Sequence, residues 1–290
     1  MILKYLKFSL LSTAIIIASC NSNPQPEETV SEDAMMDETI EEMEEEAEDF
    51  PFILPSPLQI ASIFKKSGLT YSPDLTNDPA NVTKYASQLS KSLAFGSYSA
   101  DLSYCVLNNQ SQKSLEYMKV VRQLADELGI SAIFSSESLF KSFEKNLGNE
   151  DSIVDILAKV QEQLDYYLEE NGTQYMSAVY FSGGWIESMY IGSQVISKSN
   201  KPKLASRLVE QMTILDMIVK GLDYNPNKTT ELEALKTDLK SIYDIYAEFE
   251  VAKKIEAGDD TVLEDMKISD DEFSKISTKI SEVRNKIING

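Results

Sequence analysis

From about residue 56 onward, apolar residues recur at intervals of three and four, and glycines interrupt the pattern. Val82, Tyr85, Leu89 and Leu93 form one such series. This spacing places side chains on one face of an α-helix, whereas the alternation typical of β-strands is scarce. The pattern therefore predicts an all-α domain, either an antiparallel helical bundle or a stack of helical hairpins.

Proline and glycine indicate where the predicted helices begin and end, because proline is tolerated in the first helical turn and glycine often follows the last. Ser56-Pro57 and Asp78-Pro79 are predicted to begin the first two helices, and Gly68 to end the first. The other predicted helices are 111–129, 136–148, 149–172, 173–197, 202–221, 230–258 and 269–289.

Two of these predicted starts have the spacing of a capping box, in which a hydroxyl and a carboxylate each accept a hydrogen bond from an otherwise unpaired backbone N–H. The pairs are Ser269 with Glu272, and Thr230 with Glu233. We therefore expect Ser269 and Thr230 to be the N-cap residues of their helices.

Two predicted helices carry small residues four positions apart, which lets a neighbouring backbone approach closely. These residues are Ser92, Gly96 and Ala100 on one helix and Gly184, Ser188 and Gly192 on the other. We expect the two helices to cross each other. Segments 98–104 and 184–190 also resemble each other, since both have an acidic residue three positions before a final tyrosine. Duplication of a helical unit of roughly ninety residues is one interpretation of this similarity.

Aromatic and acidic residues surround the two small-residue stripes. They are Tyr98, Asp101, Tyr104, Tyr180, Trp185, Glu187 and Tyr190. On facing helices they can line a pocket in which rings stack on an apolar ligand or a sugar, and carboxylates orient its polar groups. They can equally form an ordinary core in which tyrosine hydroxyls bond to carboxylates. A glycosidase-type acid/base pair would need its carboxyls about 5 to 10 Å apart in a cleft.

Composition excludes several kinds of chemistry. The chain has 290 residues, no histidine and two cysteines. Serine-histidine and cysteine-histidine nucleophiles and histidine-based metal sites are therefore excluded, and we predict no cofactor and no metal. The net charge is −20 and no basic face stands out, so nucleic acid is excluded as a partner. Cys105 has apolar neighbours and is interpreted as buried and inert.

Residues 21–49 differ sharply from the rest of the chain. They hold thirteen acidic residues and no Lys or Arg, and few of their residues are apolar. Such a segment cannot bury enough surface to offset the entropy of ordering it, so it is predicted to be a disordered tether. We place the domain boundary at the apolar run that starts at Phe50. The predicted organisation is therefore 1–19, 20–49 and 50–290.

The first twenty residues have the layout of a secretory signal. Lys4 and Lys7 precede an apolar run that is too short to span a bilayer, and Ile17-Ala18-Ser19-Cys20 follows. This layout resembles the signal peptide of a bacterial lipoprotein. The resemblance implies cleavage between Ser19 and Cys20 and an anchor on Cys20 with two or three acyl chains such as palmitate. It implies attachment to the cell envelope at the outer membrane, with periplasmic and surface-facing orientations both open.

Two further motifs are short. Asp223-Tyr224-Asn225-Pro226-Asn227 resembles the start of an EF-hand loop, but Lys228 replaces the required glycine and Ala234 the required glutamate, so a polar turn is preferred. Asp151-Ser152-Ile153 and Asp260-Thr261-Val262 resemble the acceptor pattern for periplasmic O-glycosylation, and they make Ser152 and Thr261 candidate modification sites.

Three functions follow, in order of preference. The first is a non-enzymatic binding or scaffolding lipoprotein, whose partner is an envelope protein or a polymer. The second is capture of a small ligand or glycan in an aromatic pocket near Trp185. The third is a carboxylate-based hydrolase that uses Asp101 and Glu187. An all-α fold is compatible with many functions, so the predicted fold alone does not decide among these three.

Overall fold

A computed structural model describes residues 54–134, 137–199, 202–258 and 268–290. The chain divides into two units, Met1–Glu46 and Ala47–Gly290, and all the described residues belong to the second. The signal and tether segments lie outside these residues, so their assignment stays a prediction. None of the helices in the described ranges combines the length and the hydropathy that a membrane span requires.

The described residues form an all-α bundle of ten α-helices with no β-strand, as the apolar pattern predicts. The helices are α1 (Pro57–Lys66), α2 (Gln88–Leu107), α3 (Ser111–Leu128), α4 (Glu137–Lys145), α5 (Glu150–Glu170), α6 (Met176–Ser199), α7 (Pro202–Asp223), α8 (Thr230–Ala247), α9 (Glu250–Glu256) and α10 (Asp270–Ile288). Short 3-10 helices span Pro73–Leu75, Pro79–Lys84 and Ser131–Phe134.

Several helix ends lie where the capping residues predict them. Ser269 caps α10 and forms the predicted capping box with Glu272. Ser56 caps α1 in the same way, and Pro57 is the first helical residue. Gly129 follows α3 in the left-handed conformation, with φ of 76°. These ends are set by local backbone chemistry, which is why the sequence alone predicts them.

α2 begins later than the Asp78-Pro79 pattern predicts. Asp78 does cap a helix, since its carboxylate accepts from the backbone N–H of Ala80 at 2.9 Å, but this is the 3-10 helix Pro79–Lys84. Tyr85 then adopts an extended conformation and buries its ring. Because burial of this ring requires an extended backbone at Tyr85, the 3-10 helix does not continue into α2. α2 begins after a separate N-cap residue, Ser87.

The predictions for the segment 230–258 were wrong in two respects. The N-cap residue of α8 is Thr229, whose Oγ1 accepts from the backbone N–H of Leu232 at 3.1 Å, so the predicted capping box at Thr230 is one residue late. The helix also stops at Ala247, because Phe249 is extended and only 3 % exposed. Burial of the Phe249 ring thus divides the predicted helix into α8 and α9.

The buried side chains form two adjoining parts of the core. The first core lies mainly among α1 and α6 to α10, and the second mainly among α2 to α5. Helices α2 and α6 contribute side chains to both. These two helices therefore form the centre of the bundle, and their side chains are buried over most of the circumference.

The backbones of α2 and α6 touch where these helices cross. A Cβ on Gly96 would lie 1.8 Å from the carbonyl oxygen of Tyr180, and a Cβ on Gly183 would lie 2.0 Å from that of Leu93. No side chain fits at either position. The small-residue stripes predict this crossing, and the contact uses Gly184 of the stripe together with Gly183 next to it. Gly192 of the stripe faces the ring of Phe64 on α1 instead.

Candidate functional site

The seven residues proposed for a pocket lie at the centre of the bundle, close to the crossing of α2 and α6, and Tyr180 among them is 6 % exposed. Tyr98, Asp101 and Trp185 are 0 % exposed, Glu187 is 1 % and Tyr104 is 2 % exposed. Tyr190 is half-buried. The structure brings Asp101 and Glu187 into contact with each other, as facing helices allow. In this conformation a substrate would have to open the bundle to reach either carboxyl.

Arg284 of α10 completes this site, and the sequence analysis missed it. Its guanidinium donates two hydrogen bonds to the Glu187 carboxylate, from Nε to Oε2 at 3.0 Å and from Nη2 to Oε1 at 2.7 Å. Nη2 also donates to the carbonyl oxygen of Leu75 at 3.3 Å. Ser97 Oγ on α2 donates to the same carboxylate at 2.9 Å. Glu187 is therefore held by charge-assisted bonds from two other helices.

Tyr190 contributes to the site through its ring. The guanidinium carbon of Arg284 lies 4.3 Å from the centroid of this ring, which is the geometry of a cation–π contact. Arg284 is 7 % exposed, so its aliphatic chain is buried as well. A signal for it exists in the sequence, since it interrupts the apolar series Ile276, Ile280, Val283 and Ile287 on one face of α10.

Asp101 is bound by the segment that precedes α2. Its Oδ2 accepts from the backbone N–H of Asn77 at 3.0 Å, while no described residue donates to Oδ1. Burial raises the pKa of Asp101 well above its ordinary value, and the neighbouring carboxylate of Glu187 raises it further. Arg284 opposes this effect only in part. The shift favours a protonated Asp101.

The tyrosines around the two carboxyls bind the backbone of the same preceding segment. Tyr98 donates to the carbonyl oxygen of Asp78 at 2.8 Å, and Tyr117 on α3 donates to that of Asn77 at 3.0 Å. Tyr104 donates to Thr70 at 3.1 Å and accepts from the Ser72 N–H at 2.6 Å. Burial raises the pKa of Tyr104 to about 12. The hydroxyls therefore hold residues 70–78 against α2 and α3, as buried hydroxyls of a core do.

Tyr85 extends this network to α10. Its hydroxyl accepts from Nδ2 of Asn77 at 2.8 Å and donates to the carbonyl oxygen of Ile288 at 3.2 Å. Trp185, by contrast, is enclosed with no hydrogen-bond acceptor for its Nε1 among the described residues. The burial of these side chains and their mutual bonds favour the core interpretation over a preformed pocket.

The remaining candidates lie elsewhere. Ser152 is partly buried in the first turn of α5, where its backbone N–H donates to Oδ1 of the cap residue Asn149 at 3.2 Å. The Asp223 side chain pairs with Lys236, and Asn225 Oδ1 accepts from the Asn227 N–H at 2.9 Å, which is the polar turn expected. Ser19, Cys20 and Thr261 lie outside the described residues.

Cys105 is fully buried on α2, as its apolar neighbours predict. Burial raises the pKa of its thiol to about 12, so little thiolate exists at neutral pH. Within the ranges that the structure describes, no three acidic or cysteine side chains converge as a metal site would require.

Comparisons with protein-family models, with curated proteins and with solved structures find no match to this chain.

Proposed function

We propose that this chain is a lipid-anchored envelope lipoprotein whose helical body acts as a non-enzymatic binding or scaffolding module. The observation that carries the proposal is Ile17-Ala18-Ser19-Cys20, placed after two lysines and a short apolar run. Two or three acyl chains on Cys20 would hold the protein stably at a membrane. The acidic segment 21–49 would extend by self-repulsion and separate the body from the bilayer.

The arrangement of the body agrees with a binding role. At its centre Glu187 and Arg284 bond to each other, and Asp101 and Arg284 bond to the backbone of the bundle. These groups are enclosed, so a partner would meet the outer faces of the body. An envelope protein or a polymer is the partner class that this location implies.

Substitution of each cysteine in turn tests the anchor. Cells are fed an alkyne-labelled palmitate, and the protein is then partitioned between detergent and aqueous phases. We expect Cys20→Ala to lose the label and to move into the aqueous phase. Cys105→Ala is the matched control, since it removes the other cysteine, which is buried in α2, and should keep both properties. A Cys20→Ala protein that keeps its label would contradict the proposal.

Protease treatment of intact and lysed cells then identifies the side of the membrane on which the partner lies. Digestion of the body on intact cells would indicate surface display, and protection until lysis would indicate the periplasm. Crosslinking in the compartment so defined should recover one saturable partner. Loss of that partner on removal of residues 54–290, but not on replacement of residues 21–49 by a neutral linker of equal length, would assign binding to the body.

A further inference from the structure

Three ionisable side chains from three helices meet in the interior where α2, α6 and α10 pack together. Asp101, Glu187 and Arg284 are 0 %, 1 % and 7 % exposed. If both carboxyls were ionised, the site would hold two negative charges and one positive charge. An unbalanced charge in the interior is costly, and buried groups normally change protonation to avoid it.

The positive charge of Arg284 is paired with the Glu187 carboxylate. Two of its nitrogens bond to the two oxygens of that carboxylate, and its further bond goes to the Leu75 carbonyl. Asp101 therefore has the Asn77 N–H at Oδ2, but Oδ1 is enclosed and without a donor among the described residues. Since the Glu187 carboxyl is adjacent, a proton on Oδ1 would supply the missing donor for a carboxyl–carboxylate hydrogen bond.

The titratable and charged groups that face Asp101 come from each element packed around it. They are Tyr71 and Tyr85 from the segment before α2, Tyr98, Tyr104 and Cys105 from α2, Tyr117 from α3, Glu187 from α6 and Arg284 from α10. Tyrosines and a buried thiol are neutral near pH 7. The balance of charge at the site therefore depends on the two carboxyls and Arg284.

We propose that Asp101 and Glu187 share one proton in the folded protein, carried on Asp101 Oδ1, and that this proton stabilises the packing of α10 against α2 and α6. With the proton in place, the site has one negative and one positive charge and every oxygen of Asp101 has a hydrogen-bond partner. Without it, Asp101 and Glu187 are both negative. Their repulsion opposes the packing of α2 against α6, and Arg284 offsets it only in part.

The direction of the pH dependence follows from proton uptake on folding. The pKa of Asp101 is raised from its ordinary value of 3.8, so the folded protein binds this proton over a pH range in which the unfolded chain has lost it. Stability from this group is greatest below pH 3.8 and decreases as the pH rises toward the raised pKa. The loss begins above pH 3.8 and is complete once the pH exceeds the raised pKa, on the side opposite to ordinary acid unfolding.

Asp101→Asn tests the proposal, because asparagine has nearly the shape of a protonated aspartate and cannot ionise. We compare melting temperatures of the wild type and the variant from just above pH 3.8 to about pH 9. Between pH 3.8 and the raised pKa of Asp101, the wild type should lose about 3 °C per pH unit relative to the variant, and above that pKa the difference should stop changing. Asp126→Asn, at an exposed position on α3, is the control and should run parallel to the wild type. A difference between wild type and Asp101→Asn that does not change with pH would overturn the proposal.

An infrared measurement on the wild type keeps the proposal testable if Asp101→Asn does not fold. The exposed carboxyls are ionised at neutral pH, so a protonated carboxyl in the core gives a separate carbonyl stretching band. We expect one such band, and we expect it to shift when the protein is labelled with carboxyl-13C aspartate. Absence of the band at neutral pH, or a band that shifts only with labelled glutamate, would overturn the assignment of the proton to Asp101.

Discussion

Helices α2 and α6 contact each other in two different ways within two turns of helix. At Gly96 and Gly183 the contact is steric, because each backbone occupies the space of a missing side chain. At Asp101 and Glu187 the contact is electrostatic, and it requires Arg284 from a third helix. The first contact needs only the two helices. The second depends on the rest of the fold, so the two should respond differently to mutation and to pH.

The largest effect is expected from removing the cation. Arg284→Met keeps a long apolar side chain but leaves Glu187 as an unpaired buried charge, so we expect a loss of about 3–5 kcal/mol in the free energy of unfolding. Denaturation in urea measures this loss. Lys286→Met on the same helix is the control, since Lys286 pairs with Asp238 at 2.6 Å at the surface and should lose at most about 1 kcal/mol.

The double variant Glu187→Met/Arg284→Met sharpens this prediction. Replacing both partners by apolar side chains removes the unpaired charge, so the double variant should be more stable than Arg284→Met alone. If Arg284→Met costs no more than Lys286→Met, the buried pair does not contribute to the stability of the bundle.

A slightly smaller loss is expected from filling the steric contact. Gly96→Ala and Gly183→Ala would each force the two backbones apart, and overpacking of this kind costs about 1–3 kcal/mol or more. Gly192→Ala is the matched control on α6, where the new Cβ would meet the Phe64 ring at 3.0 Å and the ring can shift. We expect the control to lose less than about 1 kcal/mol, because alanine also favours the helix. Equal losses at all three positions would show that the crossing is not specially tight.

The smallest loss of stability is expected from removing one buried hydroxyl, that of Tyr85, which joins the segment before α2 to α10. Tyr85→Phe leaves Asn77 Nδ2 and the Ile288 carbonyl without this partner, and we expect about 1–2 kcal/mol. Tyr166→Phe also removes a hydrogen-bonded hydroxyl, but Tyr166 is 61 % exposed, so its loss should stay within about 0.5 kcal/mol. Thermal unfolding of the two variants measures both losses. A Tyr85→Phe protein as stable as the wild type would show that the Tyr85 hydroxyl does not contribute to the stability of the bundle.

The comparison also explains which parts of the molecule are predictable from sequence. The helical class, the cap at Ser269 and the crossing near Gly96 depend on residues a few positions apart, and the pattern predicts them. The helix breaks at Tyr85 and Phe249 were not predicted. The backbone is extended at both residues because their rings are buried among residues that are distant in sequence. Local propensity does not include such tertiary effects.

The candidate site was predictable only in part for the same reason. Asp101 and Glu187 were selected from their positions near the small-residue stripes, and the structure does bring them together. Their partner Arg284 was not selected, although an arginine within an apolar helix face is a usable signal. The bonds from Asn77 and Leu75 come from backbone groups, whose positions no residue type indicates.

The position of Arg284 along the chain also has a consequence for biosynthesis. Arg284 follows Glu187 by 97 residues and Leu75 by 209. At roughly 5 to 20 residues per second, a ribosome needs roughly 5 to 20 seconds to make the segment between Glu187 and Arg284. During that time the Glu187 carboxyl has no Arg284 to pair with. The charged centre of the bundle can therefore be completed only after α10 has been synthesised and has packed against α2 and α6.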